Sequence, residues 1–400
     1  MKTKLFALAL ATGLFLNSCS SSDDPTPVTP PATGEITGPI TANKTYVLGN
    51  YTLKGIVKIN EGVTVTFEAG STITIDKATG DNALVVLKGG KLITKGTADK
   101  PVVFTEKSKV PGSWGGIIMY GDAPVNVAGG KATSTSEDGN NISYGSETPN
   151  PAHNGGSLVY TRVEYAGSKL ADGAKENNGF TFYSVGSGTT LDHLVSYKGA
   201  DDGYEFFGGT VSLTNSISYG NYDDSFDWQD GWQGQANTNW YAYQVDKGNY
   251  GMEIEASNNN NAFFPKVTNI TLKRAAGTVT EEQKEIQLDA IQFKKEGNGD
   301  YSNIVIDGYV SQTTPTAFNG GVLQILDKVT YDHQVAGGKI KLNNVKITNS
   351  PITFISGQAT FTLSAASFLP ATNWTTSTTA TGATLTPGAW ATVDGVNLIK

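Results

Sequence analysis

The sequence is short of residues on which many enzymes and nucleic-acid-binding proteins depend. Its 400 residues include one cysteine, Cys19, three histidines and only two arginines, Arg162 and Arg274. A single cysteine excludes a disulfide within the chain, and two arginines give little material for bidentate contacts to phosphate. Because the net charge is −8, the chain also lacks the positive surface that non-specific nucleic-acid binding requires, and we expect no nucleic-acid partner.

The composition favours strands and turns over helices. Charged residues make up 16% of the chain, whereas glycine occurs 47 times. Short runs such as VTVTFEAGSTITI and ALVVLKGGKLITKGT alternate apolar with polar residues and end in glycine-containing turns. Alternation with a period of two is typical of strands with one buried face, so the sequence predicts an all-β fold.

The N-terminus has the pattern of an exported lipoprotein. A basic MKTK precedes the apolar run LFALALATGLFL and then LNSC, which predicts a signal peptide over 1–18 and a lipidated Cys19. An ordinary secretory signal with an incidental cysteine is the alternative. SSSDD after Cys19 resembles the surface-export signal of certain Gram-negative lipoproteins, and 19–44 would form an acidic, proline-rich tether. We therefore expect a lipid anchor in the outer membrane with the protein exposed on the cell surface.

Beyond the tether the chain repeats itself. Seven hexapeptides carry large apolar residues at their fourth and sixth positions and a polar residue between them: NNGFTF at 177, DDGYEF at 201, DDSFDW at 223, NYGMEI at 249, LDAIQF at 288, GGVLQI at 320 and NSPITF at 349. Since side chains alternate across a strand, the two apolar positions share one face. The polar position forms an opposite row: Thr181, Glu205, Asp227, Glu253, Gln292, Gln324 and Thr353.

A second strand follows in most coils, and its third residue is usually asparagine. These residues are His193, Asn215, Asn269, Asn303 and Asn344. Asparagine at one place in successive coils indicates a ladder in which each amide bonds to its neighbours, with His193 in one slot of that ladder. The first two similar coils repeat after 22 residues, from Asp201 to Asp223. This period predicts a parallel β-solenoid over 45–362 with a C-terminal cap over 363–400.

Two insertions interrupt the repeat. The polar, glycine-rich stretch 126–157 predicts a long loop, and 274–287 is the only convincing short helix. Several blocks, among them GSWGGIIMYGDAPVN, LVYTRVEYAG and DDGYEFFGGTV, resemble those of secreted bacterial β-helix proteins in the pectin-lyase-like superfamily. The resemblance implies a right-handed parallel β-helix. It leaves function open, because that superfamily includes lyases, hydrolases, adhesins and structural spikes.

The acidic residues of the repeat allow two kinds of chemistry. Stacked coils lie about 4.8 Å apart, so any stacked pair of acids approaches the carboxyl separation of a retaining glycosidase. Cleavage would use Asp202, Asp224, Glu205 and Asp227, but His333 lacks the flanking glycines of polygalacturonases, and only Lys198 or Lys247 lies near as a base for a lyase. No catalytic residue is therefore assigned.

Calcium is the second possibility, because a cluster of carboxylates with few basic partners suits a hard cation. Its ligands would come from the following residues: Asp201, Asp202, Asp223, Asp224 and Asp230. Hydrogen bonding of these aspartates to turn backbone is the alternative.

Aromatic residues near these acids suggest a platform for sugar rings. Together with the acidic row, the predicted ligand-binding residues are Glu205, Asp227, Glu253, Tyr222, Trp232, Trp240 and Tyr243. Because the catalytic set is incomplete, the sequence favours a surface module that binds a glycan or an outer-membrane transport or assembly complex. The alternatives are a polysaccharide lyase or glycoside hydrolase, and a purely structural surface protein.

Overall fold

The computed structural model describes residues 31–170, 176–257, 263–281, 287–313, 317 and 319–400. The predicted signal peptide and Cys19 lie outside these residues. The described chain is a right-handed parallel β-helix whose coils each contribute to three parallel sheets. No helical segment in the described part of the chain has the length and apolarity needed to cross a membrane.

Sheet 1 is the sheet that carries the predicted acidic row. It consists of the second half of β3 (Gly49–Ile59), β6 (Ala83–Val86), β9 (Ile117–Tyr120), β13 (Phe180–Tyr183), β15 (Tyr204–Phe207), β17 (Phe226–Gln229), β19 (Met252–Ile254), β21 (Ile291–Phe293), β23 (Leu323–Ile325) and β25 (Phe354–Ser356).

Sheets 2 and 3 share most of their strands, because a long strand bends from one sheet into the other. Sheet 2 begins with β2 (Lys44–Tyr46), β4 (Thr64–Glu68) and β7 (Lys91–Lys95), and sheet 3 with β1 (Ala32–Ile40), the first half of β3, β5 (Thr72–Ile75) and β8 (Val102–Glu106). Both continue through β12 (Gly156–Glu164), β14 (Thr190–Tyr197), β16 (Leu213–Tyr219), β18 (Asn237–Gln244), β20 (Lys266–Arg274), β22 (Gly299–Asp307), β24 (Ile340–Thr348) and β26 (Trp374–Thr376).

The remaining elements are short. Two antiparallel pairs join β10 (Thr133–Thr135) to β11 (Ser143–Gly145) and β27 (Thr392–Val393) to β28 (Val396–Asn397). Short helical turns span Lys77–Thr79, Lys328–Thr330, Tyr331–Val335, Ala365–Ser367, Ala371–Asn373 and Ala389–Ala391.

The interior is a column of apolar side chains, as the hexapeptide repeat predicts. Phe180, Tyr204 and Phe226 are fully buried, and their rings stack coil upon coil with centroids 5.2 Å apart. The repeat pattern predicts that Ile352 of the last hexapeptide lies beside Leu323. This register is wrong, because Leu323 pairs with Phe354. A shift of two residues preserves the alternation of faces, so the apolar pattern alone does not distinguish the two registers.

The asparagine ladder lies where the long strands bend between sheets 2 and 3. Asn215, Asn269, Asn303 and Asn344 all have positive φ there, a conformation that asparagine tolerates better than most residues. Asn303 donates to Asn269 Oδ1 over 2.7 Å, and Asn344 donates to Asn303 Oδ1 over 3.3 Å, which confirms the predicted ladder. His193 occupies the same bend with φ 54°.

Three segments differ from the sequence-based expectation. Strand β1 pairs with β3 within the region predicted as tether, so the solenoid begins before residue 45. Phe368 and Trp374, within residues 363–376, pack into the apolar core at the last coil. Residues 377–400, here called the C-terminal strap, instead run back along sheet 3, where Trp390 and Leu398 pack on its outer apolar side chains. The described part of the predicted helix, 274–281, contains a strand end and turns.

The predicted loop 126–157 packs against the solenoid and includes the β10–β11 hairpin. Its Tyr144 ring lies 5.0 Å from Tyr183, an outward residue of sheet 1, and its hydroxyl donates to Asp230. On the same outer surface, Tyr183 stacks on Phe207 with centroids 4.3 Å apart. The insertion therefore covers one outer row of sheet 1 beside the acidic row.

Candidate ligand and cation site

Strand register places the acidic residues in one row on the outer face of sheet 1. Glu205 pairs with Asp227, and Asp227 pairs with Glu253, in three successive coils. Phe226 and Trp228 on either side of Asp227 point into the core, so alternation fixes the outward direction of the carboxylate. The structure thus brings together the three residues that the repeat predicts.

The corner before each of these strands carries the aspartate pairs. Asp202 Oδ1 accepts the backbone N–H of Asp224 over 2.8 Å, and Asp224 Oδ1 accepts that of Tyr250 over 2.6 Å. Asp223 accepts a hydrogen bond from the Asn249 amide. One oxygen of each of these three carboxylates therefore bonds to the next coil. For Asp202 and Asp224 the donor is a backbone N–H, which is the structural role that the sequence leaves open as an alternative to calcium binding.

The acidic row is buried although it faces outward. Glu205 is 7% exposed, and Asp227 and Glu253 are each 8% exposed. Carboxylate oxygens of Asp202, Glu205 and Asp227 lie within 4.8 Å of one another, as do those of Asp224, Asp227 and Glu253. A third such group joins Asp201, Asp202 and Asp223 at the corner. Asp227 belongs to two of the three groups and links the corner to the row.

The members of the row differ in the donors they receive. Glu205 accepts from Asn178 Nδ2 over 2.5 Å and from Gln229 Nε2 over 3.0 Å. Glu253 accepts from the Lys294 ammonium. Asp227 Oδ1, in contrast, is buried and has no hydrogen-bond donor among the described residues. A buried carboxylate oxygen without a donor is costly, so this atom indicates an unmet need for positive charge.

Burial raises the carboxyl pKa values across the site. The pKa of Asp227 is well above its usual range because the group is desolvated and because Glu253 lies close. Desolvation and the neighbouring carboxylates Glu137 and Asp227 raise the pKa of Glu205 in the same way. The pKa values of Asp202 and Asp224 are raised too, again first by burial and then by adjacent aspartates. Neutral pH therefore favours either protons or a cation at this site.

The donor set fits a hard divalent cation. Every converging ligand atom is a carboxylate oxygen, the kind of ligand that calcium prefers. Calcium also tolerates irregular coordination geometry. Asp201, Asp202, Asp223 and Asp224 lie in the groups that would hold such an ion. Asp230 does not, because its two oxygens accept from the Tyr144 hydroxyl and from Ser257 Oγ. Asp230 is therefore not among the described acids that converge in these groups.

Lys294 is the cation that sequence reasoning missed. It follows the outward Gln292 by two residues in the next coil, and the alternation of that strand is the signal that could have placed it. Burial lowers its pKa, but Glu253, Asp227 and Glu255 outweigh burial and hold the pKa above its usual range. Such an ammonium stays protonated and is unsuited to act as a general base. Lys198, one of the two lysines that the sequence offers as a base for a lyase, has its Nζ 3.6 Å from Asp246 Oδ2.

Two predicted sugar-binding residues lie in the core instead. Trp240 is fully buried and stacks on Phe226 with centroids 4.5 Å apart, and Trp232 is 1% exposed and stacks on Phe206 at 4.6 Å. The expectation that these two rings face solvent is wrong. The strand that carries Trp240 begins with Asn237, where the neighbouring coils have an apolar residue. The repeat pattern therefore does not identify this strand, and the inward direction of Trp240 is not predicted from it.

Tyr222 and Tyr243 remain partly exposed. Lys247 lies over the Tyr222 ring, 4.9 Å from its centroid. Tyr243 continues a row of partly exposed tyrosines, with Tyr197 and Tyr219 rings 5.5 Å apart and Tyr219 and Tyr243 rings 5.6 Å apart. These rings lie at the end of sheet 3 beside the corner that holds Asp201 and Asp223.

Comparison with known families agrees with the coil geometry. The family model described as a pectate-lyase-like beta helix domain matches residues 34–392. The chain belongs to this family. No curated protein and no solved structure matches the chain. Membership in the pectate-lyase-like β-helix family accounts for the fold and is compatible with both binding and cleavage.

Proposed function

We propose that this pectate-lyase-like β-helix is a lipid-anchored binding module of the cell surface that holds calcium in its acidic row and binds glycans there. The observation that carries the proposal is Asp227, whose buried Oδ1 lacks a donor among the described residues. Its carboxylate belongs to two groups of converging acids, one with Asp202 and Glu205 and one with Asp224 and Glu253. A calcium ion at this point would supply the missing positive charge. The predicted signal peptide 1–18 and Cys19 support the anchor and the surface location.

The charge of the site suggests which glycans are bound. Without a cation, the acidic row repels uronates, because the Lys294 ammonium is already shared by Glu253 and by Glu255 at 3.4 Å. With calcium present, the same site attracts a uronate carboxylate, which can complete the ion's oxygen shell. The partly exposed rings of Tyr222 and Tyr243 near the corner would offer faces for sugar rings.

Binding has more support than cleavage. A lyase needs a neutral amine or similar base, whereas the pKa of Lys294 is held above its usual range by the surrounding carboxylates. A hydrolase would find carboxyl pairs here, but their spacing follows from the stacking of coils in any parallel β-helix. The structure therefore gives no separate indication of a reaction.

Calcium titration of an Asp227→Asn variant tests the cation. We expect calcium to raise the melting temperature of the wild-type protein and to bind measurably by calorimetry, and Asp227→Asn to lose most of both effects. Asp332→Asn is the matched control, because Asp332 is exposed and pairs with the exposed Lys328 four residues away. Equal calcium responses of Asp227→Asn and the wild type would sink the cation proposal.

Galacturonate oligosaccharides test the ligand. We expect a hexasaccharide of galacturonate to bind the wild-type protein in calcium, and to lose that binding in EDTA or in Asp227→Asn. The same samples are assayed for reducing ends and unsaturated products. Product formation that Asp224→Asn abolishes would replace the binding module by an enzyme, and calcium binding without glycan binding would favour a protein partner such as an outer-membrane complex.

A further inference from the structure

A groove lies along the opposite edge of sheet 1 from the aspartate corner. It has a volume of about 470 Å³ and follows the turns by which three successive coils pass from sheet 1 to sheet 2. Its lining includes Thr190, Thr210, Ser212, Thr214, Gln233 and Ala236. A volume of this size is within the usual range of small-molecule sites.

Hydrogen bonds within the protein hold the groove open. Thr210 Oγ1 accepts the Ser187 N–H over 2.9 Å and donates to the Pro151 carbonyl over 2.5 Å, which ties the end of the 126–157 insertion to two turns. In the next coil, Ser212 Oγ accepts the Ala236 N–H over 3.0 Å. The walls are therefore set by the fold before any ligand arrives, which lowers the entropy cost of binding.

Other polar groups of the groove remain available. The Thr190 hydroxyl and the Gln233 side-chain amide have no hydrogen-bond partner among the described residues, and both side chains reach solvent. Thr190 lies on sheet 2 beside Ser157, whereas Gln233 belongs to a turn two coils further along. Two steps of about 4.8 Å separate these coils, so a ligand that contacts both spans roughly 10 Å.

The chemistry of the groove is neutral. None of its lining residues is ionisable; they offer hydroxyls, amides and a few apolar groups. Asp192 lies beyond Thr214 and accepts from that hydroxyl and from Asn215, each over 2.7 Å, so its charge is satisfied within the protein. A uronate would find no positive charge here, whereas neutral sugars match the mixture of hydroxyl, amide and apolar contacts.

We propose that this groove binds a short stretch of neutral polysaccharide, two to three sugar units long, without calcium. The inference rests on the proposed glycan-binding function but concerns a separate place on the molecule. The protein would hold a mixed glycan at two edges of sheet 1, with uronates at the acidic row and neutral sugars in the groove.

Neutral hexasaccharides of glucose, mannose and xylose serve as probes, with binding followed by calorimetry in EDTA. We expect the wild type to bind at least one of them in EDTA. The double variant Thr190→Ala/Gln233→Ala removes two neutral hydrogen bonds and is expected to weaken binding roughly tenfold. Thr190→Trp fills the groove and is expected to abolish binding.

Ser302→Ala is the matched control, because Ser302 is an outward hydroxyl of sheet 2 in a coil outside the groove. Thermal melting of each variant checks the fold. The proposal is overturned if no neutral hexasaccharide binds the wild type in EDTA, or if the groove variants bind as the wild type does. Failure of calcium-dependent uronate binding alone contradicts the acidic-row proposal and leaves this result intact.

Discussion

The outward row on sheet 1 changes character halfway along the solenoid. After Thr181, the residues Glu205, Asp227 and Glu253 follow one another, and in the next two coils the same slot holds Gln292 and Gln324. All five residues are buried, with at most 8% of the residue surface exposed. The backbone geometry is the same throughout, so the difference lies in side-chain chemistry alone.

The two halves satisfy their polar atoms differently. Gln292 donates to Gln324 and to the Tyr250 hydroxyl, because an amide is both donor and acceptor and can bond to its own kind. The Gln292 side-chain oxygen has no donor in the part of the chain that the structure describes, but it carries no net charge. Carboxylates only accept, so a stack of them needs protons, Lys294 or a bound cation. The amide half therefore stabilises the fold by bonds between its own side chains, whereas the acidic half is arranged to take up positive charge.

Removing the lysine from the acidic half should have the largest effect. Lys294→Met leaves Glu253 without its ammonium partner, and the two side chains are only 20% and 10% exposed. Breaking a buried ion pair in this way should lower the free energy of unfolding by about 3 kcal/mol at neutral pH in EDTA. Urea unfolding followed by circular dichroism measures the change.

Lys328→Met is the control for this loss. Lys328 pairs with Asp332, and both side chains are close to half exposed, so the same substitution should cost about 0.3 kcal/mol. If the two variants are equally stable, Lys294 does not compensate the acidic row, and the distinction between the two halves fails.

Extending the acidic half into the amide half should cost somewhat less. Gln292→Glu removes the donation to Gln324 and to Tyr250 and places a further carboxylate beside Glu253. We expect a loss of about 2 kcal/mol in EDTA by urea unfolding. Gln358→Glu makes the same change at an exposed position and should be nearly neutral. A stable Gln292→Glu would mean that the row accepts charge at any coil.

The sequence predicts this row well, because the repeat that defines the core also defines the opposite face. Phe180, Tyr204 and Phe226 identify the inward positions, and the residue after each identifies the outward row. The asparagine ladder is predicted for a similar reason, since its bend requires positive φ coil after coil. Local periodicity therefore specifies both the column and its rows.

Features that depend on contacts between distant segments were not predicted. Asn239 belongs to the ladder, donating to Asn215 Oδ1 over 2.9 Å, but its coil lacks the usual apolar first residue. The path of the C-terminal strap depends on Trp390 packing against sheet 3, for which no repeat exists. The approach of Glu137, on an insertion, to Glu205 is similar, because it helps to raise the pKa of that carboxyl from a distant part of the sequence. Periodicity does not contain this information.

Replacing the unpartnered carboxylate should give the smallest effect, and its sign depends on pH. Because burial and Glu253 raise the pKa of Asp227 in the folded protein above the unfolded value of 3.8, the folded state binds more protons than the unfolded state at intermediate pH. The stability contributed by this group is present below pH 3.8 and is lost as pH rises through the folded pKa.

Asp227→Asn removes this titration, so in EDTA it should be more stable than the wild type by about 1 kcal/mol at about pH 7 and nearly equal to it at about pH 4.5. Urea unfolding across this range measures both proteins, with Asp332→Asn as the control at an exposed carboxylate. A wild type that loses stability on acidification relative to Asp227→Asn would show that Asp227 has a lowered pKa and a cationic partner, and the contrast with the glutamine half would then have to be explained without strain in the acidic row.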